Sequence, residues 1–177
     1  MNFATIKYYD ISNGPGVRVS LYVSGCRNHC KNCFNPETWD FNYGEPFTKE
    51  VEDKIIEGLK PDYIKGFTLL GGDPFEPENQ EVLAPFLERL RKIYPKKSFW
   101  CFTGYDYERH LLTGKLGNPD TVMRILNCLD VLIDGKFVEE LKDLNLRFRG
   151  SSNQRIILVK PSLEEDKIVL WDGEKEL

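Results

Sequence analysis

Nowhere in the 177 residues is there an apolar run near the roughly 18 residues that a membrane-spanning helix needs, which argues against a membrane protein. The opening stretch, Met1-Asn2-Phe3-Ala4-Thr5-Ile6-Lys7, does not set a charged region ahead of an apolar one. No secretory signal is recognised, and a cytoplasmic location is the expectation. A basic excess is missing too: 24 Lys plus Arg against 28 Asp plus Glu give a net charge of −4, which argues against nucleic acid as a partner. At 41% hydrophobic and 29% charged residues the composition excludes a disordered or fibrous chain. The length suits one domain over residues 1–177 and falls short of the roughly 250 residues usual for a closed eight-stranded α/β barrel. An even cysteine count is also absent. Five cysteines, three of them within eight residues and with no export signal, do not read as a disulfide framework, so metal or redox chemistry is expected.

What the chain does contain is an alternation of two periods, with no internal repeat or linker-like tract. Val17, Val19, Leu21 and Val23 alternate with Arg18, Ser20 and Tyr22, a strand that ends at Gly25 directly before the first cysteine. Val51, Ile55, Ile56 and Leu59 follow at helical spacing after Thr48, a candidate N-cap, and Pro61 closes that stretch. Phe67-Thr68-Leu69-Leu70 has strand length and stops at Gly71-Gly72-Asp73-Pro74. Val82, Leu83, Phe86, Leu87, Leu90 and Ile93 then predict a helix that Pro85 should kink or delay. Ser98 to Thr103 reads as a strand, Asn118-Pro119 as the start of a helix, Leu129 to Ile133 as a strand ending at Asp134-Gly135, and Arg155 to Val159 as the last strand. Strands alternating with helices predict an α/β fold: a curved, mostly parallel sheet of about five or six strands with helices outside, an incomplete TIM-like barrel. Cys, Gly, Asp and Thr recur just after strands, which puts function at the carboxyl edge of that sheet.

The most informative segment is Cys26-Arg27-Asn28-His29-Cys30-Lys31-Asn32-Cys33-Phe34. Such a loop can wrap three thiolates, Cys26, Cys30 and Cys33, around one inorganic cluster. An ordinary iron–sulfur carrier supplies four cysteines, so three in one loop point to a cubane with one iron left open. Arg27 and Lys31 add positive charge that favours thiolate ligation. Two other readings stay open at this level. A zinc site could use the three cysteines with His29, although His29 directly precedes Cys30 and neighbouring side chains converge poorly on one tetrahedral ion. A thiol pair at Cys30 and Cys33 would leave Cys26 without a role.

At this loop the sequence resembles the radical S-adenosylmethionine enzymes, whose signature is three cysteines at this spacing followed by an aromatic residue. Further segments are similar to the small activating enzymes of glycyl-radical enzymes: Asn13-Gly14-Pro15-Gly16-Val17-Arg18, Gly71-Gly72-Asp73-Pro74, Thr103-Gly104-Tyr105, Asp134-Gly135-Lys136-Phe137 and Gly150-Ser151-Ser152-Asn153-Gln154-Arg155. Within that family the short length and the last segment are most similar to the branch that acts on anaerobic ribonucleotide reductase. Activation of another glycyl-radical enzyme, of the pyruvate formate-lyase type, is the alternative, and a zinc-stabilised binding module a more distant one.

The resemblance implies a single radical S-adenosylmethionine domain over residues 1–177. Cys26, Cys30 and Cys33 would hold three irons of a 4Fe-4S cluster, with the fourth chelated by the amino and carboxylate groups of S-adenosylmethionine. One electron would cleave the sulfonium, and the 5′-deoxyadenosyl radical would take a hydrogen from a glycine of the reductase large subunit. A flavodoxin- or ferredoxin-type donor would supply the electron. Phe34 would lie against the adenine, with the backbone of Asn32, Cys33 and Phe34 shaping the pocket. Gly72 would let the backbone approach the cosubstrate, and Asp73, where many relatives carry Glu, would accept from its ammonium. Asp134, Lys136 and Thr103 fall at later strand ends where such activases contact the cosubstrate, while Asp-Gly is also an ordinary turn. Cys101 and Cys128 sit in apolar patterns and read as buried small hydrophobes. Arg147, Arg149, Arg155 and Lys160 form a late basic cluster that reads first as a solvated face, with an acidic partner as the alternative.

Overall fold

The computed structural model describes residues 1–173. Its centre is one seven-stranded sheet whose neighbours run β3-β1-β2-β4-β5-β6-β7. The strands are β1 (Asn2–Asp10), β2 (Val17–Val23), β3 (Glu45–Pro46), β4 (Ile64–Gly71), β5 (Ser98–Phe102), β6 (Val131–Asp134) and β7 (Arg155–Leu158). Strands β2, β4, β5 and β6 are parallel in that spatial order, while β1, β3 and β7 join antiparallel at the sides. The sheet does not close on itself, so the incomplete barrel is what forms. Its strand count exceeds the five or six expected because β1 and the two-residue β3 carry no strong apolar run. The signal in β1 was a half-buried alternation, Ala4, Ile6 and Tyr8 partly covered between exposed Thr5, Lys7 and Tyr9.

Three α-helices connect the strands, α1 (Lys49–Gly58), α2 (Pro77–Ile93) and α3 (Pro119–Cys128), and α4 (Val159–Glu164) follows β7. Asn118 caps α3 by accepting from the Asp120 N–H at 2.9 Å. Thr48 is the N-cap residue of α1 but makes no side-chain cap bond there. Helix α2 starts at Pro77, where a missing N–H costs nothing, and runs without interruption through Pro85. Pro85 therefore does not delay the helix; it lies on the exposed side, while Leu83, Ala84, Phe86, Leu87 and Leu90 face the core.

The alternation in β2 sorts its residues between the two faces of the sheet. Val19, Leu21 and Val23 join Phe67, Leu69, Phe99, Cys101 and Leu132 in the core under the helices. There Phe67 makes edge-on contacts with Phe86 at 6.0 Å and Phe99 at 6.1 Å between ring centroids. A smaller cluster of Trp100, Val131, Ile133 and Leu158 forms on the side chains of alternate strand positions, packed with Phe148 and Trp171. Trp171 arrives on a C-terminal segment that lies along β7 through an Ile157–Leu170 bridge, so β7 is not left as a bare edge.

Arg18 shares that second face and is fully buried without a carboxylate on its hydrogen-bond partners. It donates to Thr68 Oγ1 (2.7 Å), Ser98 Oγ (3.0 Å) and the carbonyls of Phe67 (2.9 Å), Ser98 (2.8 Å) and Pro15 (3.3 Å). Desolvation pulls its guanidinium down to about 9, which leaves it charged at neutral pH. The Asn13–Arg18 segment is thus tied to β4 and β5 by the arginine itself. Among the described residues no helix is long and apolar enough to cross a membrane.

Candidate functional site

The cysteine loop leaves β2 at its carboxyl end and is held from two sides. Gly25 N–H donates to Thr38 O (2.8 Å) and Cys26 N–H to Trp39 O (3.3 Å), which fastens it to the short helical turn at 36–39. Gly72 N–H donates to Val23 O (2.7 Å) and Asp73 N–H to Gly25 O (2.8 Å), which fastens it to the end of β4. A Cβ on Gly72 would sit 2.5 Å from the Gly25 carbonyl oxygen and 2.9 Å from that of Thr38. Glycine is needed here for the approach of one protein backbone to another, beside the opening toward a ligand that the sequence suggested.

Within the loop, His29 and Asn32 take positive φ values of 46° and 54°, a conformation that costs a non-glycine residue energy and is tolerated where surroundings impose it. The His29 imidazole is stacked on Trp39, with ring centroids 4.6 Å apart and 9° between planes. Cys33 N–H donates to Cys30 O at 3.1 Å, and Cys33 Sγ accepts from Asn35 N–H at 3.4 Å.

These constraints put Cys26, Cys30 and Cys33 on the wall of one open cleft of about 640 Å³. Phe34, Gly72, Asp73 and Thr103 line the same cleft. Asn32, Asp134, Lys136 and His29 do not line it. Cys26 and Cys30 are buried and Cys33 half-buried. Burial first, with Asp73 adding to it, pushes the Cys26 thiol up to about 12. Burial raises Cys30 as well, opposed by the charge of Lys136. Any metal taken up must displace those protons, so uptake and proton release are coupled. Cys101 and Cys128 are in the helix-side core, away from the cleft, as the apolar patterns around them implied. Among the described residues no three or more His, Cys, Asp and Glu side chains converge on a single-ion site.

Asp73 is the hub of the cleft floor. Its Oδ1 accepts from Phe75 N–H (3.0 Å) and Thr103 Oγ1 (2.8 Å), and its Oδ2 from Gly104 N–H (2.8 Å) and Asn28 Nδ2 (3.0 Å). One carboxylate therefore joins the cysteine loop to the ends of β4 and β5. Desolvation raises its pKa to about 7 against the lowering hydrogen bonds from Gly104, Phe75 and Thr103. Asp134, by contrast, is buried and held by Arg155 through Nε at 2.9 Å and through Nη2, with the Tyr107 N–H at 2.8 Å as a third donor. The late basic cluster does not form one face: Arg155 pairs with Asp134 and Glu108, Lys160 with Asp130, and Arg147 lies over the Phe148 and Trp171 rings.

Three further residues shape the site although the sequence assigned none of them a role. Asn28 reaches Asp73; Gln154 accepts from Gly150 N–H (2.8 Å) and donates to Gly135 O (3.0 Å); Glu76 accepts from the cysteine loop. Asn28 and Gln154 lie inside the motif segments, whereas Glu76 lies outside them. The mouth of the cleft carries exposed apolar side chains, Phe34 at 63% and Leu144 at 87%, with Phe34 packed on Phe137 at 5.4 Å.

Residues 12–157 match the family model described as a 4Fe-4S single cluster domain. The anaerobic ribonucleoside-triphosphate reductase-activating protein of Escherichia coli K12 is 43% identical over 157 residues, covering 87% of this chain and 96% of the relative. Its namesake in Haemophilus influenzae is 44% identical over 161 residues, covering 88% and 97%. That of enterobacteria phage T4 is 36% identical over 156 residues, covering 88% and 93%.

Proposed function

The chain belongs to the family of anaerobic ribonucleoside-triphosphate reductase-activating proteins and carries its 4Fe-4S single cluster domain, and from that membership we propose that it activates such a reductase by radical S-adenosylmethionine chemistry. The observation that carries the reading is the sharing of one open cleft by Cys26, Cys30 and Cys33 with Gly72, Asp73 and Phe34 at the carboxyl ends of the parallel strands. Three thiols and no fourth on the cleft wall fit a cluster with one iron open to a cosubstrate. A single zinc ion is served less well, since His29 is engaged with Trp39. When bound, the reduced cluster supplies the electron that cleaves S-adenosylmethionine at its sulfonium, giving the oxidant that takes a hydrogen atom from a glycine of the reductase.

The residues of this chain place the participants. Cys26, Cys30 and Cys33 each hold one iron, and Phe34, next to Cys33 and half out of the protein, offers a ring face to the adenine. Asp73 reaches the cosubstrate ammonium by exchanging one of its present donors, and Asn28, the half-buried side-chain donor on Oδ2, is the one that gives way, because the Gly104 donor is fixed backbone. A cleft with a wide mouth rimmed by exposed Phe34 and Leu144 suits a glycine-bearing segment of a large protein better than a free metabolite. A flavodoxin- or ferredoxin-type protein supplies the electron.

The test is anaerobic reconstitution with iron and sulfide, then reduction in the presence of S-adenosylmethionine. The wild type should bind close to one cluster per chain and form 5′-deoxyadenosine. Cys26→Ala, Cys30→Ala or Cys33→Ala should each abolish that product, and Cys101→Ala should leave iron content and product unchanged. Loss of the cluster in Cys101→Ala would overturn the three-ligand reading. Mixing the reduced protein with the anaerobic reductase should give a glycyl radical by electron paramagnetic resonance. A signal formed only on a pyruvate formate-lyase type enzyme would reassign the partner.

A further inference from the structure

Glu76 is the residue that immediately precedes α2, and its side chain is 0% exposed. Two of its hydrogen bonds come from the residue that follows Cys26: Arg27 N–H donates to Oε1 at 2.7 Å, and Arg27 Nη1 to Oε2 at 2.5 Å. The Tyr105 hydroxyl, from the loop after β5, donates to Oε1 at 2.8 Å. Arg27 also forks onto Glu78 at 2.9 and 2.5 Å, but Glu78 is 52% exposed. The same arginine therefore holds two carboxylates, one dry and one wet. The dry one fixes the backbone turn at Cys26, and its charge bears on that thiol.

We propose that Glu76 is a positioning residue for the cluster: it fixes the Cys26–Arg27 turn and, as a buried carboxylate beside the cluster, lowers the potential at which the cluster accepts an electron. The inference rests on the assignment of Cys26, Cys30 and Cys33 as cluster ligands. Cluster potentials follow local charge, hydrogen bonding and solvent exposure. Reduction adds one negative charge to the cluster, and a fixed negative charge in a poorly screened site opposes it. Glu78 contacts the same guanidinium from water, where its field is screened. Burial, and not pairing with Arg27, is what separates the two.

Reconstituted wild type, Glu76→Gln, Glu78→Gln and Tyr105→Phe are titrated with dithionite and redox mediators, following the reduced-cluster signal by electron paramagnetic resonance. Glu76→Gln, which keeps the shape and one acceptor oxygen, should move the midpoint to a more positive value. Glu78→Gln should leave it in place. Tyr105→Phe removes one donor from Glu76, leaves its charge less compensated, and should move the midpoint the other way. A Glu76→Gln protein with full iron content and the wild-type midpoint would overturn the proposal, as would a Glu78→Gln shift as large as that of Glu76→Gln. If Glu76→Gln does not hold the cluster, Tyr105→Phe decides: a more negative midpoint supports the proposal and an unchanged one overturns it. Failure of the wild type to assemble a cluster would instead overturn the ligand assignment beneath it.

Discussion

Asp73 accepts hydrogen bonds from four donors in three separate segments while being 1% exposed. Asp73→Asn would turn an acceptor into a donor facing donors, at a cost of about 1 to 3 kcal/mol by denaturant unfolding. Its pH signature is the reverse of a paired surface carboxylate. With the folded value raised to about 7 from an ordinary 3.8, the folded protein binds this proton more tightly than the unfolded chain. The contribution is fully present below about pH 4 and is lost as pH rises through about 7. Unfolding midpoints measured across that window should fall more with rising pH in the wild type than in Asp73→Asn; equal slopes would refute the raised value. Sequence reading found Asp73 as a strand-end residue aimed at a ligand. It could not see that Asn28, Thr103 and Gly104 converge on it, because those partners lie 45, 30 and 31 positions away.

At the scale of elements, two placements decide how the carboxyl edge is held. Strand β7 is joined to β6 by backbone pairing of Asp134 with Arg155, and the same two residues pair through their side chains. Arg155→Ala would leave Asp134 a buried carboxylate with the Tyr107 N–H as its remaining donor. A loss of about 3 to 5 kcal/mol is expected in guanidinium unfolding. Glu108→Gln, on the exposed limb of the same arginine, should cost less than about 1 kcal/mol. In α2 the reverse substitution is informative. Pro85 removes one helical hydrogen bond on an exposed position inside a 17-residue helix. Pro85→Ala should stabilise the protein by about 1 to 3 kcal/mol, read as a higher thermal midpoint with iron binding unchanged. The helix tolerates the proline because Leu83, Phe86, Leu87 and Leu90 bury its opposite side, and burial at roughly 1.5 to 3 kcal/mol per large side chain outweighs one lost bond.

On the scale of the whole molecule, the sheet does not close on itself and the cleft at its carboxyl edge stays open. The sequence alone determined the three-cysteine loop, the strand–loop alternation that carries the candidate site to one edge, and the burial of Cys101 and Cys128. Each of these is local: bond lengths and side-chain period fix which residues of one loop can face one centre and which residues of one strand share a face. Tertiary structure decided what local pattern cannot. It added β1 and the segment along β7, set Glu76 in a dry site against Arg27 at a separation of 49 residues, and took Asp134 out of the cleft by giving it Arg155. The reason is that a buried charge finds its partner only after distant segments have closed on each other. The chain therefore sets out the candidate groups, while the packed sheet settles which carboxylate faces the cleft and which one holds the cysteine loop from behind.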